Sequence, residues 1–567
     1  MPEPISITDL NLTPITGKDY FNSEREWREE FIYFLLVDRF QDDIVRPVRS
    51  SLDRTPGIPT TNAFFGGKIK GITNNLAYIA GLGCTAIWLS PLFEGNAYHG
   101  YDINNYLSVD PHFGTKQDLI DLVNAAHRFR RDGLPYPMRV ILDVVINHSG
   151  DNWSYPGDFP FFYFNNMQFP FGAFRRGDRP IPTELRNPEW YHRRGQIRNY
   201  DQTPENQQGD IASLKDYAND DDEVGSDVIN TLIQAHCYWI RETDVDGFRV
   251  DAVKHMGPVA CSRFCSNIRE YAYSLGKRSF FLFGEVASPS DDLYNRYIGQ
   301  NTSRQDGGNT VFFGLDSVLD FRLAEGVFGD ADNAPLRNVL LGKVGPETLF
   351  NRLEAQRDRA LNRGEIGRYL VTFIDNHDTF WQPDGRFGNL ANDDQIIGAL
   401  GFLICSLGTP CIYYGTEQGF AGHGGDTQVR EAMFDLAGGR SLLNPECRIY
   451  QEIAKIADVM RNQEPLRFGR MYYREISGDG ISFGLPFGSA YTLAYSRVLY
   501  SREVLIAYNV SGRRRRDRVI VDASLHPDAS QMQFLYGGVG AVKVQTAPSH
   551  ARYIELALGP HQFAIIA

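Results

Sequence analysis

Cysteine is scarce and odd in number, with seven among 567 residues. No close Cys/His spacing reads as a zinc site. Cys84, Cys405 and Cys411 sit in apolar runs, and Cys261 and Cys265 stand one helical turn apart. This predicts free, mostly buried thiols and a reducing compartment. No run of 18 apolar residues occurs, so no membrane span is expected. The N-terminus, MPEPISITDL, lacks a basic start followed by an apolar run, so no secretory signal is expected and the cytoplasm is the default location. Basic charge is in deficit: the formal net charge is -13 and the pI about 5.5. A nucleic-acid binder would more often carry a basic domain. The one basic run, Arg513 to Arg516, follows Asn509, Ser511 and Gly512 and precedes the strand-like VIVDA, so it reads as a solvated hairpin loop. No P-loop is present, and no GxGxxG leads from a strand into a helix.

Apolar and aromatic residues are plentiful. The chain is 42% hydrophobic and 13% aromatic, with 37 Phe and 29 Tyr, at a mean hydropathy of -0.33. That allows two to four domains around a large core. Aromatic planes suit sugar-binding surfaces, and they also fill large cores.

Short apolar runs alternate with amphipathic helical ones. Eight strand candidates appear: FIYFLLV, CTAIWLS, MRVILDVV, GFRVDAV, FFLFGEV, TVFFGL (Thr310 to Leu315), YLVTFID and TPCIYYG. Helical patterns lie between them, as at Ile72 to Gly83, at Thr115 to Arg128 with capping-box spacing of Thr115 and Asp118, and at Asp227 to Glu242. Eight βα units predict a (β/α)8 TIM barrel, with a doubly wound open sheet as the alternative. The alternation breaks at residues 149–216, a Pro-, Gly- and aromatic-rich stretch that reads as an inserted subdomain after strand three. After Pro465 the period changes to two, which predicts a C-terminal antiparallel β-sandwich over 466–567. The barrel would then comprise 1–148 and 217–465.

DGFRVDAVKH poses a physical question. It reads as a buried strand, yet Arg249 and Asp251 share one face of it. Buried charge is costly unless it is paired or used. In barrels the carboxyl ends of the strands build the site. Those ends carry Tyr101 and Asp102 after strand two, Asp143, Asn147 and His148 after strand three, and Arg249, Asp251, Lys254 and His255 after strand four. Glu285 ends strand five, and His377 and Asp378 end strand seven. Carboxylates gathered at one rim are what glycosidic cleavage needs, one to protonate the leaving oxygen and one to attack the sugar carbon. Arg249 is the partner that would keep Asp251 ionised and aimed.

The ordered set DVVINH, DGFRVDAVKH, GEV and FIDNHD resembles the four signature segments of the α-amylase family, glycoside hydrolase family 13. GLGCTAIWLSPLF, YHGYDINNYLSVDPHFGT and GTPCIYYGTEQG resemble its framework segments, and the insert and β domain resemble its domains B and C. The resemblance implies Asp251 as nucleophile, Glu285 as general acid/base and Asp378 as transition-state stabiliser. It implies Arg249 orienting Asp251, His148 and His377 binding the sugar, Tyr101 stacking on it, and Lys254 and His255 reaching it on the leaving-group side. Retention of configuration is implied, with a carboxyl separation of about 5 to 5.5 Å and a raised Glu285 pKa. The substrate implied is an α-1,4-linked glucan or maltooligosaccharide. Cyclomaltodextrinases, glucanotransferases and trehalose-forming isomerases share the chemistry, and non-catalytic sugar-binding relatives share the barrel. Calcium is implied between barrel and domain B, through Asn147, the backbone of His255, and Ser213 or Asp216. Separately, Asp38, Asp42 and Asp43 offer a second set of hard oxygens.

Overall fold

The computed structural model describes residues 3–567 except 51–53, 58–62, 131–135, 166, 221, 299–304, 307–308, 311–313, 327–333, 358–359, 362–363 and 436–438. Eight parallel strands form the central sheet: β1 (Ile32–Leu35), β2 (Ala86–Leu89), β3 (Arg139–Val144), β4 (Gly247–Val250), β5 (Phe281–Gly284), β6 (Ser317–Val318), β7 (Val371–Thr372) and β8 (Thr409–Tyr413). Their order is β6-β5-β4-β3-β2-β1-β8-β7, and a parallel bridge from Leu319 to Val371 joins the two ends. The barrel is closed, and the open-sheet alternative is set aside. Every residue of β1 to β5 is buried, as strands covered on both faces require.

The sixth strand differs from its expected position. Thr310 lies in a two-residue ladder with Gln305, residues 311–313 fall outside the described residues, and the strand that pairs with β5 is Ser317–Val318. A short apolar run marks burial but not which of its residues find a ladder partner.

Helices connect the strands, and three of them show how their ends are set. Helix α1 (Lys116–Arg128) starts at a capping box, in which Thr115 accepts from the Asp118 N–H and Asp118 accepts in return. Helix α2 (Glu223–Thr243) is capped by Asp222, and α3 (Pro258–Ser274) begins with Pro at its first position. The run at Ile72 to Gly83 is two helices, Ile69–Asn74 and Leu76–Leu82, broken at Asn75.

The insert is closed at its neck by an antiparallel ladder that pairs His148 with Asp216 and Ser149 with Lys215. Its own core is aromatic: Trp153 is fully buried against Tyr155, Phe171 and Tyr191. The C-terminal region is one nine-stranded antiparallel ladder from Arg470 to Ile566. A single apolar cluster takes Leu505 and Ile566 from one half of that ladder and Val544 and Ile554 from the other. The domain is docked to the barrel by Arg497, whose Nη1 donates to the Cys405 carbonyl at 2.9 Å. The basic run is only partly loop. Arg515 and Arg516 open a strand and pair with Asp517 and Glu555. All seven cysteines are free and buried. Among the described residues no helix is long and apolar enough to cross a membrane.

Candidate active site

The barrel floor is aromatic. Phe34 stacks on Trp88 with ring centroids 3.7 Å apart, and Trp88 meets Phe283 edge-on at 5.4 Å. Charge sits directly above this layer. Strand register pairs Arg249 of β4 with Asp143 of β3. Arg249 Nη1 donates to both Asp143 oxygens at 2.9 and 3.0 Å and to Asp251 Oδ1 at 2.7 Å. Its Nη2 lies 3.0 Å from Glu285 Oε2. One guanidinium therefore touches three carboxylates, which answers the question posed by DGFRVDAVKH. Trp88 Nε1 and the Tyr101 hydroxyl also donate to Asp143, at 3.1 and 2.9 Å.

Asp251 stands one residue beyond β4. The chain then turns through Ala252 at φ +51°, a left-handed conformation costly for a residue with a side chain. This turn aims the Ala252 N–H at Glu285 Oε2, 3.1 Å away.

Asp378 belongs to a second half of the site. Arg430 Nη2 donates to its Oδ1 at 3.0 Å, Arg430 Nε to the His377 carbonyl at 2.9 Å, and Arg430 Nη1 to the Tyr98 hydroxyl at 3.0 Å. Tyr101 joins the halves: its hydroxyl is on Asp143 and its ring lies on His377, with centroids 5.1 Å apart and planes 16° from parallel. Gly100 makes that seat possible. Its φ is +80°, and a Cβ there would stand 2.2 Å from the Pro91 carbonyl oxygen.

The histidines are held neutral. Burial lowers His148 to about 4 and takes His377 well below its usual value, with Arg430 and Arg249 adding to the latter. Neutral His148 donates from Nε2 to the Tyr101 carbonyl at 3.1 Å, so that nitrogen is engaged by protein. His377 Nδ1 is buried without a hydrogen-bond partner. Burial raises Asp251 well above the ordinary carboxylate range. Arg249 opposes this, while Glu285 and Asp143 add to it. The same burial takes Asp143 to about 6. Arg249 therefore has to offset two buried carboxyls at once, Asp143 and Asp251, and their proton uptake is linked.

Lys254 and His255 lie against the insert. Lys254 Nζ donates to Asp201 Oδ1 at 2.5 Å and to the Ala287 carbonyl at 3.0 Å. His255 Nδ1 meets the Asn206 carbonyl at 2.7 Å, and Tyr200 stands edge-on to its ring at 5.7 Å.

The two metal proposals separate. Asp38 accepts from the Phe65 and Gly66 N–H groups, Asp42 is taken by Arg46, and Asp43 faces Lys68 at 3.6 Å. These three carboxylates do not gather, because each is spent on its own neighbour. At the neck of the insert, Asn147 Nδ2 donates to Asp216 Oδ1 at 3.1 Å, and Asn147 Oδ1 is buried without a partner. His192 Nδ1 meets Asp216 Oδ2 at 2.5 Å. Among the described residues no three His, Cys, Asp or Glu side chains form a metal cluster. An ion at the neck would rely on amide, carboxylate and carbonyl oxygens, a set that suits calcium. The unpaired Asn147 oxygen fits such an ion. Ser213 spends its carbonyl on Lys215.

Sequence reading missed Arg430, Tyr98, Trp88 and Asp201. Arg430 lies beyond the last strand in a segment without a motif, and only the fold brings it to Asp378.

A closed (β/α)8 barrel with an insert after its third strand, a C-terminal antiparallel β domain and three carboxylates at one rim defines the class. The chain belongs to the alpha-amylase family: residues 34–441 match its alpha amylase catalytic domain. It is 27% identical over 556 residues to an alpha-amylase of Streptomyces lividans, covering 86% of this chain and 55% of that one. It is 27% identical over 452 residues to a cyclomaltodextrin glucanotransferase of Klebsiella oxytoca, covering 72% of this chain and 62% of that one. The chain thus spans little more than half the length of these relatives. An alpha-amylase from Geobacillus thermoleovorans, solved with acarbose, superposes with TM-score 0.69 at 26% identity, over 96% of this chain and 99% of that one.

Proposed function

We propose that the protein is a retaining glycoside hydrolase that cleaves α-1,4-glucosidic bonds in starch-like glucans or maltooligosaccharides. The observation that carries this reading is the single Arg249 guanidinium bound at once to Asp251 and Glu285. Asp251 attacks the anomeric carbon, and the bond to the glycosidic oxygen breaks as Glu285 gives that oxygen its proton. Glu285 then takes a proton from water, whose oxygen displaces Asp251 from the sugar carbon. The reaction requires a proton on Glu285 at its start. Asp378, aimed by Arg430, grips the ring hydroxyls as positive charge develops, and Tyr101 stacks on the ring.

Similarity to a cyclomaltodextrin glucanotransferase supports a second reading, in which a sugar hydroxyl replaces water in the second step. Calcium held by Asn147, Asp216 and the His255 carbonyl would supply fixed positive charge that ties the insert to the barrel. Seven free, buried thiols support a cytoplasmic location.

The test is turnover of maltooligosaccharides by the parent and by Glu285→Gln and Asp251→Asn. Each variant should lose on the order of 10²- to 10⁴-fold in kcat, and the product should first appear as the α-anomer by NMR. Activity of Glu285→Gln equal to the parent's would overturn the assignment. Longer oligosaccharides formed from maltotriose would mark the transfer reading.

A further inference from the structure

The insert sends part of its aromatic content outward. Phe162 is 3% exposed, yet its neighbours Phe161 and Tyr163 are 45% and 53% exposed. Phe164, the next residue, is exposed too, at 57%, so the stretch with one side anchored runs only from Phe161 to Tyr163. The anchoring is firm: the Phe162 N–H donates to the Gln196 carbonyl at 2.9 Å, Arg194 lies 4.6 Å over the Phe162 ring, and Arg194 Nη2 holds the Tyr163 carbonyl at 3.0 Å. Phe161 and Tyr163 are therefore exposed on a fixed backbone, where neither can fold away from water. Both rings are also backed by one cation, with Arg198 standing 4.6 Å from the Phe161 centroid and 5.7 Å from that of Tyr163. One face of each ring is filled, and its remaining surface is offered to a ligand. Exposed apolar area held rigidly in this way marks a binding surface.

The patch is continuous with the candidate site. Two residues after Arg198 comes Tyr200, 39% exposed and edge-on to His255, and Lys254 pairs with Asp201 beside it. Arg198, which backs both rings, is thus two residues from the Tyr200 that meets His255 beyond β4, on the leaving-group side in the proposed reaction. Aromatic faces with polar edges suit the C–H faces of an uncharged sugar polymer, and the cations beside them are already engaged, Arg198 on the two rings and Lys254 on Asp201. Resting on the function proposed above, we infer that Phe161 and Tyr163 form an outer platform that binds the leaving-side arm of an α-1,4-glucan too long for the cleft alone, reached by way of Tyr200.

The test compares maltoheptaose with maltotriose on the full-length parent, the Phe161→Ala/Tyr163→Ala double variant and Tyr163→Phe. The ratio of kcat/KM for the long substrate to that for the short one should fall by about tenfold in the double variant, the loss expected for stacked aromatic surface. It should stay at the parent's value in Tyr163→Phe, which keeps the ring. Calorimetric binding of maltoheptaose to Glu285→Gln, with and without the double substitution, should weaken in parallel. An unchanged ratio in a folded double variant would overturn the platform while leaving the proposed reaction standing, and so would equal loss on both substrates. A parent that neither turns over nor binds maltoheptaose would overturn the reaction and the platform together.

Discussion

Asp143 and Arg249 occupy the same row of adjacent barrel strands, and Arg249 Nη1 bonds both oxygens of that carboxylate. Asp143 is therefore the anchor from which Arg249 reaches Asp251 and Glu285. Asp143→Asn places an amide donor against the guanidinium and removes the carboxylate that bonds it through both oxygens. Breaking a buried pair costs about 3 to 5 kcal/mol. The variant should unfold at correspondingly lower denaturant and lose activity more than Tyr101→Phe, which removes only one donor to Asp143. Parent-like stability in Asp143→Asn would show that Arg249 is held by its other partners.

Arg430 ties Asp378, His377 and Tyr98 through three separate nitrogens. A lysine keeps the charge but cannot span that fork. Arg430→Lys should retain most of the folding stability and lose kcat, with Asp378 left unaimed. Arg430→Met should lose both, by about 3 to 5 kcal/mol in stability. Full activity in the lysine variant would mean that charge alone suffices.

His236 is a buried core histidine whose Nδ1 meets the Leu232 carbonyl at 2.6 Å, and burial lowers it from 6.5 to about 4. Between those values the unfolded chain binds a proton that the folded chain refuses. Stability is fully present above pH 6.5 and is lost as pH falls toward 4, by at most about 3 kcal/mol. In His236→Phe the acid side of the stability curve should be shallower, as read by urea unfolding at pH 7, 6 and 5. An identical slope would remove His236 from the acid response.

The neck of the insert carries an unpaired Asn147 oxygen beside Asp216. Treatment with EDTA should lower Tm, and added calcium should restore it; binding at a hundred times Kd stabilises by about 2.7 kcal/mol. Asn147→Ala should abolish the calcium response while leaving that to maltooligosaccharide in place. A Tm indifferent to EDTA and calcium would leave the His192–Asp216 contact as the tie at this junction.

Much of this protein is written locally. The eight-fold alternation, the capping box at Thr115, the period change after Pro465 and the ordered strand-end motifs each depend on neighbours in the chain, so they are legible without coordinates. The pairing of the sixth strand is not local: Ser317–Val318, just beyond the apolar run Thr310 to Leu315, is the pair that joins β5. The split of the insert's aromatics is equally non-local. Phe162 turns inward and Phe161 outward because Gln196 and Arg194 hold the backbone between them.

The sequence by itself determined the barrel, its insert, the β domain and the identity of the three rim carboxylates, since periodicity and motif order are properties of contiguous residues. Only the tertiary structure decided how one guanidinium is shared among Asp143, Asp251 and Glu285, and that Arg430 rather than any motif residue aims Asp378. Apart from Arg249–Asp251, those contacts join residues 36 to 106 positions apart, and burial of Asp143 and Asp251 against a single cation links their protonation, which no local pattern encodes.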